Sequence, residues 1–88
     1  MPKIKTSPRF KKSFTKLPPE IQVKVIKALS LLAENPRHLS LRAKPVHGIV
    51  GVFEARVDVS YRMTYEPLPG DALFLRSVGK HDETLGNP

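Results

Sequence analysis

The sequence predicts a small α+β domain of order β-α-α-β-β-β, with an N-terminal helical hairpin packed on one face of a small antiparallel sheet. Before residue 35 the apolar residues recur with the 3.6-residue period of a helix, and after residue 51 they alternate with the two-residue period of a strand. Proline, glycine and asparagine mark the boundaries between these segments. With 88 residues the chain has the size of one domain. We therefore predict a single domain over residues 1–88, in which residues from about 80 to 88 form a flexible tail.

The first predicted elements are a short strand and a helix. Residues 3–6 alternate polar and apolar side chains over a length that allows one short strand. Ser7 and Pro8 then mark a helix start, because serine caps a helix and proline is tolerated at its first position. Three apolar residues fall on one face of this helix: Phe10, Phe14 and Leu17.

The second helix has the clearest pattern and is predicted over residues 19–34. The Pro-Pro pair at 18–19 ends the first helix and opens the second, and the Asn-Pro pair at 35–36 stops it. Its apolar stripe consists of Ile21, Val25, Leu29 and Leu32, widened by Ile26 and Ala33. Together the two helices form an antiparallel hairpin. Residues 36–51 carry mixed loop signals.

Three strands are predicted in the second half of the chain, at residues 52–59, 61–66 and 72–78. A tight turn near Ser60 separates the first two, and a Pro- and Gly-containing turn at 67–71 separates the last two. This spacing predicts an antiparallel meander. The hairpin is expected to cover the apolar side of the first two strands: Phe53, Ala55, Val57, Tyr61, Met63 and Tyr65.

The charge of the chain is strongly basic and unevenly distributed. Fifteen Lys and Arg against eight Asp and Glu give a net charge of +7. Residues 1–44 hold eleven basic and two acidic residues, whereas residues 45–88 hold four and six. A basic half on a small domain suggests a polyanionic ligand or an acidic partner protein. A basic surface that serves only solubility is the alternative.

Several classes of function are excluded by composition. The chain contains no cysteine, which excludes disulfide frameworks, thiolate metal sites and cysteine nucleophiles. No His, Asp or Glu spacing matches a metal site, and no Gly-rich phosphate loop is present, so we expect neither a metal nor a cofactor. No apolar run is long enough to span a membrane, and the first residues do not form a signal peptide. We expect a cytoplasmic protein without membrane contact.

The face of the sheet opposite the hairpin carries the candidate site. The alternation places Glu54 and Arg56 on this face from one strand and Arg62 from the next. Arg76 joins them if the register of the third strand points it that way, and His81 follows just after that strand. Charged residues that pair across strands without any catalytic role are the alternative interpretation.

Such a set matches the requirements of RNA cleavage without a metal. A base removes the proton of a 2′-hydroxyl, which attacks the adjacent phosphate, and an acid protonates the departing 5′-oxygen. Fixed positive charge stabilises the transition state. Histidine titrates near neutral pH and serves as acid or base, and arginine binds phosphate oxygens in a bidentate manner.

Sequence motifs along nearly the whole chain resemble one protein family. They begin with Phe-x-Lys and Leu-Pro-Pro-Glu-Ile-Gln in residues 10–22 and continue with Asn-Pro and Leu-x-x-Lys-Pro-x-x-Gly in residues 35–48. They are strongest in residues 51–57, in Tyr-Arg-Met-Thr-Tyr at 61–65 and in Val-Gly-Lys-His-Asp at 78–82. In this order and at this length, the sequence resembles the RelE/ParE superfamily of toxins from bacterial toxin–antitoxin systems.

The resemblance implies a fold, an activity and partners. Members of the family have the β-α-α-β-β-β architecture, and many are endoribonucleases that cut messenger RNA, often in the ribosomal A site. Members of the ParE-like branch instead poison DNA gyrase and do not cut RNA. Both kinds are neutralised by a cognate antitoxin. We expect such an antitoxin to carry an acidic amphipathic segment that wraps the hairpin or fills the polar face, in a toxin–antitoxin hetero-oligomer.

The resemblance also assigns candidate roles to residues. Arg62 occupies the position of an arginine that contributes to phosphate binding in RelE-like members. Glu54 and Arg56 occupy the positions of paired catalytic-face residues, and His81 that of an arginine or, in YafQ-like members, a histidine. The sequence departs from RelE-like members in lacking a C-terminal tyrosine and in carrying Glu54 instead of a basic residue. Histidine is thus the proton shuttle, and Glu54 a second proton-transfer group or a group that orients Arg56.

We therefore predict a toxin that cleaves messenger RNA without a metal, in association with the ribosome, and so inhibits translation. His81, Arg62, Arg56 and Glu54 are the predicted catalytic residues. The predicted RNA-binding residues are Lys11, Lys12, Lys16, Lys24, Lys27, Lys44, Lys80 and Arg76. The alternatives are a ParE-like gyrase inhibitor without nuclease activity and a non-catalytic family member that only binds its partner or DNA.

Overall fold

The computed structural model describes residues 2–88 and shows a five-stranded sheet with a helical hairpin on one face. The strands are β1 (Lys3–Thr6), β2 (Lys44–Pro45), β3 (Phe53–Arg56), β4 (Tyr61–Leu68) and β5 (Ala72–Lys80). The helices are α1 (Pro8–Thr15), α2 (Pro19–Glu34) and α3 (His81–Gly86), with a 3₁₀ turn at Leu39–Leu41. The strand order across the sheet is β1-β5-β4-β3-β2. The α+β class and the N-terminal hairpin are confirmed.

The sheet is mixed rather than wholly antiparallel. Strands β3, β4 and β5 form the predicted antiparallel meander. Strand β1, however, runs parallel to β5, with Lys3 opposite Ala72 and Thr6 opposite Leu75. Tight turns force consecutive strands to be antiparallel, whereas β1 and β5 are separated by most of the chain, so no turn fixes their relative direction.

Local sequence signals set the bounds of the hairpin. The Ser7 hydroxyl oxygen accepts a hydrogen bond of 2.9 Å from the Phe10 N–H, as an N-cap does. The same hydroxyl donates to the Arg76 carbonyl at 2.9 Å, which ties the start of α1 to β5. Helix α2 begins at Pro19 and ends at Glu34, as the sequence predicts.

The core lies between the hairpin and one face of the sheet. Its buried residues from the helices are Phe10, Ile21, Val25, Ala28 and Leu32, and those from the strands include Ala55, Met63, Tyr65, Leu73, Leu75 and Val78. Phe53, Val57 and Tyr61 are partly buried against them, so the predicted apolar face is the covered one. Ile26, expected to widen the stripe of α2, is instead 56% exposed. It lies about 100° around the helix from the fully buried Val25.

The strand ends and the loop differ from the prediction. The predicted loop at residues 36–51 contains the 3₁₀ turn and β2, which pairs with β3. Two residues are too few to show an alternating pattern, and this explains why β2 was missed. Strand β3 ends at Arg56 because Asp58 closes the following turn with hydrogen bonds to the N–H groups of Ser60 and Tyr61. Strands β4 and β5 each continue two residues further than predicted.

The segment predicted as a flexible tail is a short helix, α3, that lies against β4 and β5. Its Thr84 side chain is buried at 4% exposure. Beyond the helix, the Asn87 carbonyl accepts a hydrogen bond from the Arg9 guanidinium of α1. Six residues are too few to form an isolated helix, so these contacts stabilise it. The flexibility of the segment stays a prediction.

Among residues 2–88, no helix combines the length and the apolar character that crossing a lipid bilayer requires.

Candidate functional site on the polar face of the sheet

The strand register brings the predicted polar residues to the face of the sheet away from the hairpin. Arg56 of β3 lies opposite Arg62 of β4, which in turn lies opposite Gly79 of β5. Glu54 lies opposite Thr64, two residues along the same pair of strands. Residues that are directly opposite share a face of the sheet. We call this surface the polar face.

A β-bulge decides the orientation of Arg76. Thr64 lies opposite Ser77, but the next residue, Tyr65, lies opposite Leu75, so Arg76 is the extra residue of β5. Its guanidinium Nη1 donates to Glu66 Oε1 at 2.9 Å. Arg76 therefore joins the polar face, and it is the register of β5 that brings it there. Sequence alternation alone does not reveal a bulge.

Glu54 is the most buried charged group of the polar face, at 5% exposure. Its Oε1 lies 3.8 Å from Lys44 Nζ and 4.0 Å from Arg62 Nε. The sequence analysis expected Glu54 to transfer a proton or to orient Arg56, whereas the structure pairs it with Arg62 and Lys44. A carboxylate between two cations restricts the orientation of both.

The guanidinium of Arg62 has partners at two of its nitrogens, Nη1 and Nε. Its Nη1 donates to the carbonyl oxygens of Asp58 at 2.6 Å and of Tyr61 at 3.0 Å, with that of Val59 at 3.4 Å. Its Nε faces Glu54. A guanidinium carries five N–H donors, so the two on Nη2 can still bind an anion. The arrangement fixes the guanidinium plane at the end of the β3–β4 turn.

The same turn contains a carboxylate with several donors. Asp58 Oδ1 accepts from the Ser60 N–H at 2.8 Å and from the Tyr61 N–H at 2.9 Å, and Oδ2 lies 3.3 Å from Lys24 Nζ. Burial raises the pKa of Asp58, but hydrogen bonds from Ser60, Lys24 and Tyr61 outweigh it and hold the pKa below its ordinary value of 3.8. The charged turn thus links α2 to the sheet.

Arg56 differs from its neighbours in having no ion-pair or hydrogen-bond partner for its side chain among residues 2–88. It lines a cleft of about 310 Å³ together with Lys24 and Lys27 of α2. Asp58, the ion-pair partner of Lys24, lines the same cleft, so Lys27 and Arg56 are its cations without an acidic partner among residues 2–88.

His81 begins α3 at the same end of the sheet. Its backbone N–H donates to the Ser60 carbonyl at 2.8 Å, and its Nδ1 lies 3.3 Å from Asp82 Oδ1. The side chain is about half exposed, at 48%. In the register, Lys80 lies opposite Tyr61, which places His81 beside the turn that Arg62 closes. We call the part of the polar face that holds Arg56, Arg62 and His81 the open end.

The other part of the polar face, which we call the closed end, holds Thr64, Ser77 and Arg76. The hydroxyl oxygens of Thr64 and Ser77 lie 2.6 Å apart, and both side chains are buried. Thr64 Oγ1 and Arg76 Nε each donate to the Pro88 carbonyl at 3.1 Å. The sequence analysis missed Thr64 and Ser77. The alternation of Arg62, Thr64 and Glu66 is the signal that places Thr64 on this face.

The predicted RNA-binding residues do not form one surface. Lys24 and Lys27 share the cleft with Arg56, whereas Lys16 and Lys80 line a separate cleft of about 270 Å³. The other predicted residues lie apart from both clefts: Lys44 beside Glu54, Arg76 at the closed end, and Lys11 and Lys12 on α1.

Comparison with known proteins gives structural matches only. No family model matches the chain, and no curated protein matches its sequence. Among solved structures, the RelBE2 toxin–antitoxin complex of Mycobacterium tuberculosis matches with a TM-score of 0.75 and 26% identity, over 92% of this chain and 100% of that one.

Two further solved structures match at similar quality. The DinJ–YafQ toxin–antitoxin complex of E. coli has a TM-score of 0.76 and 20% identity, over 93% of this chain and 94% of that one. A YoeB/ParE toxin from Agrobacterium tumefaciens has a TM-score of 0.76 and 14% identity, over 90% and 98%. The fold of this chain is that of the RelE/ParE toxin superfamily, which confirms the resemblance of its sequence.

Proposed function

We propose that the protein is the toxin of a toxin–antitoxin system and acts as a metal-independent endoribonuclease on messenger RNA. The observation that carries the proposal is the open end, where Arg56 lies opposite Arg62 in the strand register and the His81 N–H donates to the Ser60 carbonyl in the adjacent turn. It is joined by a basic cleft on α2. The resemblance of the sequence to RelE-like ribonucleases and the shared fold support the same reading.

The roles follow from the contacts of each group. Arg62 Nη2 and the unpartnered Arg56 bind the scissile phosphate and stabilise the charge that develops on it. His81 transfers the proton, as base toward the 2′-hydroxyl or as acid toward the departing 5′-oxygen. Glu54, buried beside Arg62, acts as a positioning residue for that guanidinium. Lys24 and Lys27 bind the flanking phosphates.

The proposed partners are the ribosome with its messenger RNA and a cognate antitoxin. The solved structures of similar fold include toxin–antitoxin complexes. The net charge of +7 favours an acidic partner. A hetero-oligomer of toxin and antitoxin in the cytoplasm is the proposed resting form.

The test is induced expression of the full chain in a bacterial host, with primer extension on a reporter messenger RNA. We expect growth arrest and new RNA ends for the wild type. His81→Gln keeps a polar side chain of similar length but cannot act as acid or base, and it is expected to lower cleavage by on the order of 10²–10⁴. Lys3→Ala, an exposed cation on β1, is the control. Unchanged cleavage by His81→Gln contradicts the proposed role of His81.

A second candidate function is inhibition of DNA gyrase without nuclease activity. It is favoured by the contacts of the open end itself, because Arg62 Nη1 is occupied by backbone carbonyls and His81 Nδ1 faces Asp82. One of the solved structures of similar fold is a YoeB/ParE toxin. This candidate predicts growth arrest without new RNA ends, and inhibition of supercoiling by purified gyrase in the presence of the protein.

A further inference from the structure

A groove on the hairpin side of the sheet has a volume of about 680 Å³. It lies between the loop that leads to β2 and the ends of β3 and β4 that the hairpin does not cover. Its floor is formed by Phe53, Tyr65 and Leu73. The rings of Phe53 and Tyr65 stack with their centroids 5.8 Å apart and an angle of 23° between their planes.

The lining of the groove favours an apolar ligand. Leu39 stands at its edge and is 90% exposed. An exposed leucine beside the partly buried ring of Phe53 leaves apolar surface in water, and covering it is favourable by about 25 cal/mol per Å². Pro36, Pro45 and Pro67 add further apolar surface.

The rim of the groove favours negative charge on that ligand. Arg37, Arg42 and Lys44 all line it, and it has no Asp or Glu among its lining residues. Of these cations only Lys44 has an acidic partner among residues 2–88, Glu54 at 3.8 Å. The backbone of Arg42 lies in the left-handed region, with a φ of 47°, which fixes the direction in which this residue leaves the 3₁₀ turn. The two guanidinium groups are free to pair with carboxylates.

We propose that this groove binds a segment of a partner protein in which apolar side chains alternate with Asp and Glu. The apolar side chains would lie on Phe53 and Leu39, and the carboxylates would pair with Arg37 and Arg42. Single-stranded RNA fits the groove less well, because RNA bases stack on exposed aromatic faces and Tyr65 is only 4% exposed, with its ring already stacked on Phe53.

The groove lies on the opposite face of the sheet from the open end. Phe53 lies three residues before Arg56 on β3, a separation of about 10 Å along the strand, and its side chain points to the opposite face. A ligand in the groove therefore does not cover the open end. The inference rests on the proposed function in so far as the partner is the antitoxin, which would hold the toxin here without contacting its catalytic groups.

The test uses a phage-displayed library of random 16-residue peptides, selected on the full chain at physiological salt. We expect enrichment of peptides that combine Asp or Glu with large apolar residues. The best peptide is then synthesised, and its affinity is measured by fluorescence anisotropy. Its binding site is mapped by amide chemical-shift changes, which are expected at residues 36–45 and at Phe53 and Tyr65.

Matched variants distinguish binding in the groove from binding that depends only on net charge or on any exposed apolar side chain. Leu39→Asp is expected to weaken the peptide at least tenfold, whereas Val23→Asp, an exposed aliphatic position on α2, leaves the affinity unchanged. Arg37→Glu is also expected to weaken it at least tenfold, whereas Lys12→Glu, which changes the net charge equally, has an effect below twofold.

The peptide experiments test the groove independently of the ribonuclease activity. Enriched peptides without acidic residues, shift changes on the polar face or on α2, or equal losses in the matched variants would overturn it. A uridine oligonucleotide that shifts the groove amides would also overturn it, in favour of RNA. Leu39→Asp is expected to retain growth arrest, and a wild type that causes no arrest counts against the proposed function but leaves the peptide result intact.

Discussion

The open and closed ends of the polar face use the same kinds of residue in opposite ways. At the closed end, Thr64 and Ser77 share a hydrogen bond, Thr64 and Arg76 donate to Pro88, and Arg76 is also paired with Glu66. At the open end, Arg56 has no partner among residues 2–88 and His81 is half exposed. The closed end therefore contributes to stability, whereas the open end has unused binding capacity. Catalysis requires groups that are not already satisfied by the protein, as at the open end.

The largest expected effect comes from the open end. Arg56→Ala removes an unpartnered guanidinium, so the rate of RNA cleavage should fall by on the order of 10²–10³, while the free energy of unfolding changes by less than about 0.5 kcal/mol. Cleavage of a labelled oligoribonucleotide and urea unfolding measure the two quantities. Lys3→Ala is the matched control. A large decrease in the free energy of unfolding together with the loss of rate would contradict the contrast between the two ends.

The second prediction concerns the closed end, where we expect a loss of stability with little change in the cleavage rate. Thr64→Val keeps the shape of the side chain but removes the hydroxyl that contacts Ser77 and Pro88. We expect a loss of about 1–3 kcal/mol in the free energy of unfolding, because buried polar partners are left unsatisfied. The cleavage rate should remain within about twofold. Thr15→Val, at an exposed hydroxyl on α1, should change stability by less than about 0.5 kcal/mol.

The contact between α3 and the sheet gives a smaller effect. A Cβ atom at Gly79 would lie 3.0 Å from Thr84 Oγ1, so Gly79→Ala forces α3 outward by a few tenths of an ångström. We expect a loss of about 1 kcal/mol in the free energy of unfolding. The double variant with Thr84→Ala removes the clash, and its loss should be smaller than the sum of the two single losses. Additive losses in urea unfolding would show that α3 does not press on the sheet at Gly79.

The smallest expected effect is the pH dependence of the stability that Asp58 contributes. The pKa of Asp58 is lowered in the folded protein, so the stability that its charge contributes is present above its ordinary pKa of 3.8 and is lost as the pH falls through the folded value. Asp58→Asn should therefore be less stable by about 0.5 kcal/mol at pH 7, and the difference should shrink as the pH falls below 3.8. Thermal unfolding from pH 2.5 to 7 measures it, with Glu34→Gln as the control. A difference that is independent of pH would assign the loss to hydrogen-bond geometry instead of charge.

Local signals in the sequence were sufficient for the hairpin and for the faces of the strands. Ser7 and Pro19 mark helix starts, and the alternation around Arg62 assigns its side chain to the polar face; the structure agrees with all of these. Each signal acts within a few residues of the element it specifies, and this makes it readable from one sequence.

Features that depend on distant contacts were not predictable. The parallel pairing of β1 with β5 joins residues about 70 positions apart, and α3 exists only with its contacts to the sheet. The bulge that turns Arg76 to the polar face depends on how β4 and β5 align, which no pattern within β5 shows. The partner of Glu54 was mistaken for the same reason, since a shared face does not specify which cation is nearest.

The position of β5 in the sheet bears on how the protein is made. Strand β5 follows the other four strands along the chain but lies between β1 and β4, so β1 has no strand partner until β5 has emerged from the ribosome. Closing a contact across 69 residues, as between Ser7 and Arg76, carries a large entropic cost and makes folding slow. The nascent chain is therefore expected to stay incompletely folded until β5 has been synthesised.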